Sequence, residues 1–182
     1  MAVTYRRAKP EDADAIGKFL SAEMTKQTDL LVEKVLPPLE MAAAFKEILA
    51  CPTEVCQIGE EGGKIVALAH GTTGIERDEG GWTMVAGAEI RDVRFIVCNL
   101  IITAGWTTQK QRLARLAALV VWCLNDDATM GIERVKTGPL KTGCMGAQWM
   151  TTVVKWQGQA SSDASTLDFK GELTDMKARL TP

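Results

Sequence analysis

A phosphate is held where several backbone N–H groups point at one place, and one stretch of this chain has the layout for that. Residues 90–103 read Ile-Arg-Asp-Val-Arg-Phe-Ile-Val-Cys-Asn-Leu-Ile-Ile-Thr, a long apolar strand pattern. Gly105-Trp106-Thr107-Thr108 then turns into a helix that opens Gln109-Lys110-Gln111-Arg112-Leu113-Ala114-Arg115. A strand entering a helix through a short turn leaves the first-turn N–H groups without intrahelical partners, and an anion can accept from them. Gln109, Gln111, Arg112 and Arg115 are the candidate contacts. The same residues also make a sound plain helix: Thr108-x-x-Gln111 is a capping box, and Leu113, Leu116, Ala117, Val120 and Leu124 form a core-facing stripe. In that reading Lys110, Arg112 and Arg115 lie on the solvated side.

Metal and disulfide chemistry are poorly supplied. The five cysteines, Cys51, Cys56, Cys98, Cys123 and Cys144, are scattered and odd in number, and several sit in apolar runs where cysteine acts as a small hydrophobe. Cys51-x4-Cys56 has no second half and His70 is the one histidine, so no metal site is expected. The 182 residues are 46% hydrophobic and 24% charged, with a net charge of −2. That suits one folded domain, residues 1–182, in which 158–182 form a C-terminal turn and closing segment. Near-neutrality argues against nucleic acid as a partner, since three cations on one helix tip are ordinarily a solvated face. No apolar run reaches membrane-spanning length and the N-terminus does not read as a signal peptide, so a cytoplasmic location and no membrane partner are expected.

The elements that must position these residues follow from periodicity. Residues 3–8 alternate as a first strand; Pro10-Glu11-Asp12 opens a helix whose apolar face is Ile16, Phe19, Leu20 and Met24. A second helix covers 39–49 and stops at Cys51-Pro52. Strands at 55–60 and 64–73 flank Glu61-Gly62-Gly63, a hairpin turn. A turn at 77–81 and a strand at 82–87 precede the long strand from Ile90. After the helix at 108–125 comes a strand at 132–137, a short helix at 147–150 and a strand-like alternation at 151–157. Leu167 and Phe169 suggest a last strand, and Leu173, Met176 and Leu180 a closing helix. Of the five tryptophans most suit a core, while Trp106 and Trp149 fall near loops, where exposure would mark a protein interface.

This order of elements resembles the GCN5-related N-acetyltransferase (GNAT) fold, a mixed α/β (α+β) architecture with a central, mostly antiparallel sheet flanked by helices. The likeness is best in Tyr5-Arg6-Arg7-Ala8-Lys9-Pro10-Glu11-Asp12-Ala13, which is similar to the family's opening "hydrophobic-Arg-x-Ala-x-x-Glu-Asp-Ala". The resemblance implies a Gln/Arg-x-x-Gly-x-Gly/Ala motif after the fourth strand, whose glycines admit the pyrophosphate of acetyl-CoA. Two registers fit in part, Gln109-x-x-Arg112-x-Ala114 and Arg112-x-x-Arg115-x-Ala117, and both put arginine at the first glycine. A long side chain there is expected to fill the pyrophosphate space.

The resemblance further implies a general base and an acid for the departing thiolate. Glu89, Asp92 and His70 are the base candidates. The family's acid is frequently a tyrosine past the fifth strand, but the single tyrosine here is Tyr5, in the first strand; Cys144 is a substitute that reads better as a structural thiol. The expectation is therefore a GNAT-like binding or assembly protein without catalysis or cofactor, acting through other proteins or a homo-oligomer. It is similar in this to the family's members in tailed-phage particles, which would carry it into a virion after intracellular synthesis. The alternative is an acetyl-CoA-dependent N-acetyltransferase with an atypical cofactor loop, in which Arg112 or Arg115 meets the CoA phosphates.

Overall fold

A computed structural model describes residues 2–26, 34–78, 91–104, 108–125, 129–161 and 165–180. Of Gln109, Lys110, Arg112, Leu113, Arg115, Trp122 and Met145 it describes the backbone alone. Glu89, Trp82, Trp106 and the expected strand at 82–87 lie outside the described residues.

The chain runs β1 (Thr4–Arg7), a 3-10 turn at Pro10–Asp12, α1 (Ala13–Met24), α2 (Pro38–Ala50), β2 (Glu54–Glu61), β3 (Lys64–Asp78), β4 (Arg91–Thr103), α3 (Gln109–Leu124) and β5 (Arg134–Thr137). It continues through β6 (Leu140–Lys141), α4 (Met145–Trp149), a π-helical turn at Met150–Val154, β7 (Gln159–Ala160), β8 (Thr166–Asp168), β9 (Lys170–Glu172) and α5 (Leu173–Leu180). The main sheet has the order β1-β2-β3-β4-β5-β9, and a small second sheet has the order β6-β8-β7. Every pairing in the main sheet is antiparallel except β4 with β5. That one parallel pair needs a crossover, which α3 supplies.

The start of the chain shows what its polar motif does. Arg6 donates to both carboxylate oxygens of Asp12 at 2.8 Å and to both of Glu60 at 3.0 Å, while Asp12 also accepts the Lys9 backbone N–H. One guanidinium thus ties β1 to the turn ahead of α1 and to β2. The fork geometry is suited to arginine, which can serve two carboxylates at once.

Alternation places side chains on two faces. Cys56, Ile58, Leu68 and Ile102 meet Ile16, Leu20, Met24, Met41 and Phe45 under α1 and α2. Val55, Ile96 and Val135 meet Val120, Leu124, Trp149, Met150 and Met176 on the other side. The two helices on the first face pack closely because Gly17 has no side chain: a Cβ there would lie 2.5 Å from the Pro38 carbonyl oxygen. Gly62 and Gly63, at φ 59° and 75°, close the β2–β3 hairpin in the left-handed region that glycine allows.

Three expectations are corrected. Residues 151–157 alternate like a strand, yet 150–154 form a π-helical turn continuing α4. Thr151 and Thr152 donate their hydroxyls back to the carbonyls of Ala147 and Gln148, the i−4 pattern of helical threonine, and Lys155 ends the run at φ 59°. Trp149 is no interface residue: it is 3% exposed and belongs to the core. Arg77 and Asp78, expected in a turn, are the last residues of β3.

Candidate active site

The site is built by an irregularity in β4. Along β3 and β4 the Cα partners run Gly71↔Cys98 and then His70↔Leu100, so Asn99 is an extra residue, a β-bulge. The bulge resets the alternation. Ile96 and Cys98 pack on the α3 side before it, and Ile101 does so after it, while Leu100 and Ile102 pack toward α1 and α2. Gly71 belongs to the same irregularity, because a Cβ there would lie 2.8 Å from the Val97 carbonyl oxygen.

At the same level β4 and β5 separate. Their pairing runs from Phe95↔Arg134 to Cys98↔Thr137; β5 then ends before Gly138-Pro139, and β4 continues to Thr103 paired with β3 and not with β5. Gly138 N–H still reaches the Cys98 carbonyl at 3.3 Å, and Thr137 is drawn the other way by hydrogen bonds with Phe169. The edge of β4 beyond Cys98 therefore faces a gap in the sheet rather than β5.

A cavity of about 280 Å³ occupies this gap. Its wall takes residues from both faces of the sheet: Met24, His70 and Leu100 from the side of α1 and α2, and Gln57, Leu116 and Trp149 from the side of α3. On the first side lies a polar chain. His70 Nε2 is 2.6 Å from Glu54 Oε2, Thr72 Oγ1 donates to the same carboxylate at 2.9 Å, and Asn99 Nδ2 donates to Thr72 Oγ1 at 2.7 Å. A carboxylate can only accept, so Nε2 carries the imidazole proton and Nδ1 is left as the basic position. The His70 and Glu54 side chains are 11% and 18% exposed, and the Phe45 ring meets the imidazole edge-on. On the second side two polar groups have no partner among the described residues: the side-chain amide of Gln57, a residue 1% exposed, and the indole N–H of Trp149. A buried polar group left so costs about 1–3 kcal/mol and is uncommon in a folded interior.

The expected site residues divide. His70 stands in the cavity wall. Asp92 is exposed and pairs with Arg77, roughly 23 Å along the strand from Asn99 at about 3.3 Å per residue. Gln109, Gln111, Arg112 and Arg115 form the first turns of α3, where Thr108 Oγ1 accepts from Gln111 N–H at 3.2 Å, one half of the expected capping box. Cys144 also lines the cavity, but its sulfur caps α4 by accepting from Ala147 N–H at 3.4 Å. Cys98, on the wall where the strands part, has its thiol pushed up to about 11 by burial and stays neutral. Glu54 and Gln57 were missed. In sequence Glu54 merely opens a strand, and Gln57 looks like an outward-facing polar residue between apolar ones. Among the described residues no group of three or more His, Cys, Asp or Glu could hold a metal ion, and no helix is long and apolar enough to cross a membrane.

No family model matches the sequence, and no curated protein matches it significantly. Solved structures match the fold. An N-acetyltransferase from Thermoplasma acidophilum in complex with coenzyme A superposes with a TM-score of 0.66 at 7% identity, covering 94% of this chain and 99% of that one. An acetyltransferase from Thermus thermophilus gives 0.63 at 12% identity over 94% and 97%. The Salmonella typhimurium protein yncA, solved with its cofactor acetyl-CoA, gives 0.60 at 12% identity over 95% of each chain. The architecture is thus that of GNAT proteins, a mixed α/β fold around a mostly antiparallel sheet. These neighbours correct the expectation that the chain works without a cofactor, because structures of this fold were solved with acetyl-CoA or coenzyme A bound. They are acetyltransferases, and they support neither the link to phage particles nor a lost cofactor motif.

Proposed function

We propose that this protein transfers an acyl group from acetyl-CoA to an amine, as an N-acetyltransferase of the GNAT type. One observation carries the reading: the cavity runs through the gap between β4 and β5 and meets His70, the hydrogen-bond partner of Glu54, on its wall. The fit to a CoA thioester rests on the same gap, which leaves one edge of β4 facing the space where a slender chain would pass. This reading replaces the assembly-protein expectation, which drew on the arginines of α3. Gln109, Gln111, Arg112 and Arg115 are assigned here to the CoA phosphates, with guanidinium groups and first-turn N–H groups taking the role that glycine-framed amides play in the family pattern.

When bound, acetyl-CoA supplies a thioester whose C–S bond breaks as the acceptor nitrogen bonds to the acyl carbon, the sulfur leaving with one proton. Glu54 fixes the orientation and tautomer of the imidazole by accepting from Nε2–H. His70 Nδ1 takes the proton that the acceptor amine must lose to become nucleophilic. Thr72 and Asn99 hold Glu54 in place from the bulge. Thermal denaturation with millimolar acetyl-CoA tests the reading, since a ligand well above its dissociation constant raises the midpoint. A rise, together with release of free thiol in the presence of a small-amine panel, is the expected result. No rise with acetyl-CoA or with CoA overturns it.

A further inference from the structure

The cavity reaches further than an acetyl group requires. Gln57 lies on β2, and β3 separates that strand from β4. With neighbouring strands about 4.8 Å apart, Gln57 stands roughly 10 Å across the sheet from the edge where a thioester would sit. A two-carbon acyl group at the gap stops well short of it. Gln57 is nevertheless turned inward, 1% exposed, between Val55 and Gly59 on the α3 side, with both its donor and its acceptor unused. Trp149, from α4, brings a second unused donor to the same cavity.

The surroundings limit what these groups can recognise. Ala69, Leu116, Val120 and Cys123 line the cavity on this side, and among the described side chains His70 and Lys141 are its only cation-forming lining residues. His70 belongs to the opposite face, and Lys141 lies on β6 beyond β5. An anionic terminus brought to Gln57 would lose its hydration with no cation beside it among the described side chains, whereas a hydroxyl can accept from an N–H and donate to the amide oxygen. The two faces also divide the reactants. The base is on the side of α1 and α2, so the amine approaches from there, and the space on the α3 side is left for the donor's acyl chain.

We propose that the α3 side of the cavity is an acyl pocket that takes a chain longer than acetyl, carrying an uncharged hydrogen-bonding group read by Gln57 and Trp149. This rests on the acyltransferase reading and specifies its donor; the bonds made and broken are the same and no further reactant is needed.

The test compares acetyl-, butyryl-, β-hydroxybutyryl- and succinyl-CoA as ligands in thermal shift and titration, and as donors at fixed amine. Binding of β-hydroxybutyryl-CoA is expected to be roughly tenfold tighter than that of butyryl-CoA, the worth of about one buried hydrogen bond. Gln57→Leu, which keeps the volume and removes the orphaned amide, is expected to abolish that ratio while leaving acetyl-CoA binding unchanged; Gln57→Glu, which keeps the shape, checks the same ratio if the leucine variant folds poorly. Equal binding of the hydroxylated and plain chains, or a ratio untouched by either variant, overturns the pocket and leaves the amide to ordinary buried water. A gain seen with succinyl-CoA instead overturns the uncharged class. If acetyl-CoA binds and the longer donors do not, the inference falls and the proposed function stands; if no CoA thioester binds, both fall.

Discussion

Glu54 and His70 are sixteen residues apart in sequence and 2.6 Å apart in space, because the β2–β3 hairpin sets Cys56 opposite His70 and brings Glu54 one same-face position away. A carboxylate at that point fixes the imidazole tautomer by accepting from Nε2–H. Glu54→Gln removes the charge while keeping the shape, and is expected to lower kcat by about 10²-fold with little change in the KM for the CoA donor. Equal losses in a variant outside the pair, such as Asp92→Asn, would speak against a specific role.

Reactivity should rank the thiols. Cys51 is exposed, and the Thr53 hydroxyl beside it holds its thiol below the ordinary cysteine value. Burial pushes Cys56 up to about 12 and Cys98 up to about 11. Alkylation at pH 8 followed by peptide mass spectrometry should find Cys51 modified first and Cys56 and Cys98 only after denaturation, since the thiolate is the reacting form. Early labelling of Cys56 would contradict the packing under α1.

Acid stability should depend on Asp12. Arg6 holds its carboxyl below the usual carboxylate range, chiefly by hydrogen bonding. A folded-state value below the unfolded one stabilises the protein above the unfolded pKa, and that contribution disappears as pH falls through the folded value. The wild type should therefore lose stability from about pH 4 downward, near the unfolded aspartate value. Asp12→Asn should be less stable at neutral pH and show a shallower acid limb in pH-dependent melting; an unchanged slope would deny the Arg6–Asp12 contribution.

Close helix packing at Gly17 gives a further check. The site has no room for a side chain beside the Pro38 carbonyl, so Gly17→Val is expected to cost about 1–3 kcal/mol by overpacking. Chemical denaturation would show a lower midpoint. A neutral result would mean that α1 and α2 are free to move apart.

Much of this architecture can be read from local pattern. The Gly62-Gly63 hairpin, the stripe of Ile16, Leu20 and Met24, and the capped start of α3 each announce themselves within a dozen residues. What hides is set by pairing between distant strands. Asn99 looks like any polar residue in an apolar strand, and only its register against His70 and Gly71 makes it a bulge. Gln57 keeps the alternation of an outward-facing residue, yet a helix covers its face. Thr151 to Val154 carry β-branched side chains that suggest a strand, while hydroxyls bonded back to the preceding turn keep them helical. Arg112 stands where the family pattern has glycine, while the gap between β4 and β5 lies in the sheet and is set by where their pairing ends.

The bulge at Asn99 also behaves as a change of reading frame within a strand. Every side chain after it takes the face opposite to the one that simple alternation from Ile96 would assign, so Ile102, 1% exposed, reaches the core under α1 and α2. Removing one residue there would leave the composition almost intact and send Leu100, Ile101 and Ile102 to the wrong layers together. The chain can vary its side chains along β4 more easily than it can vary their number.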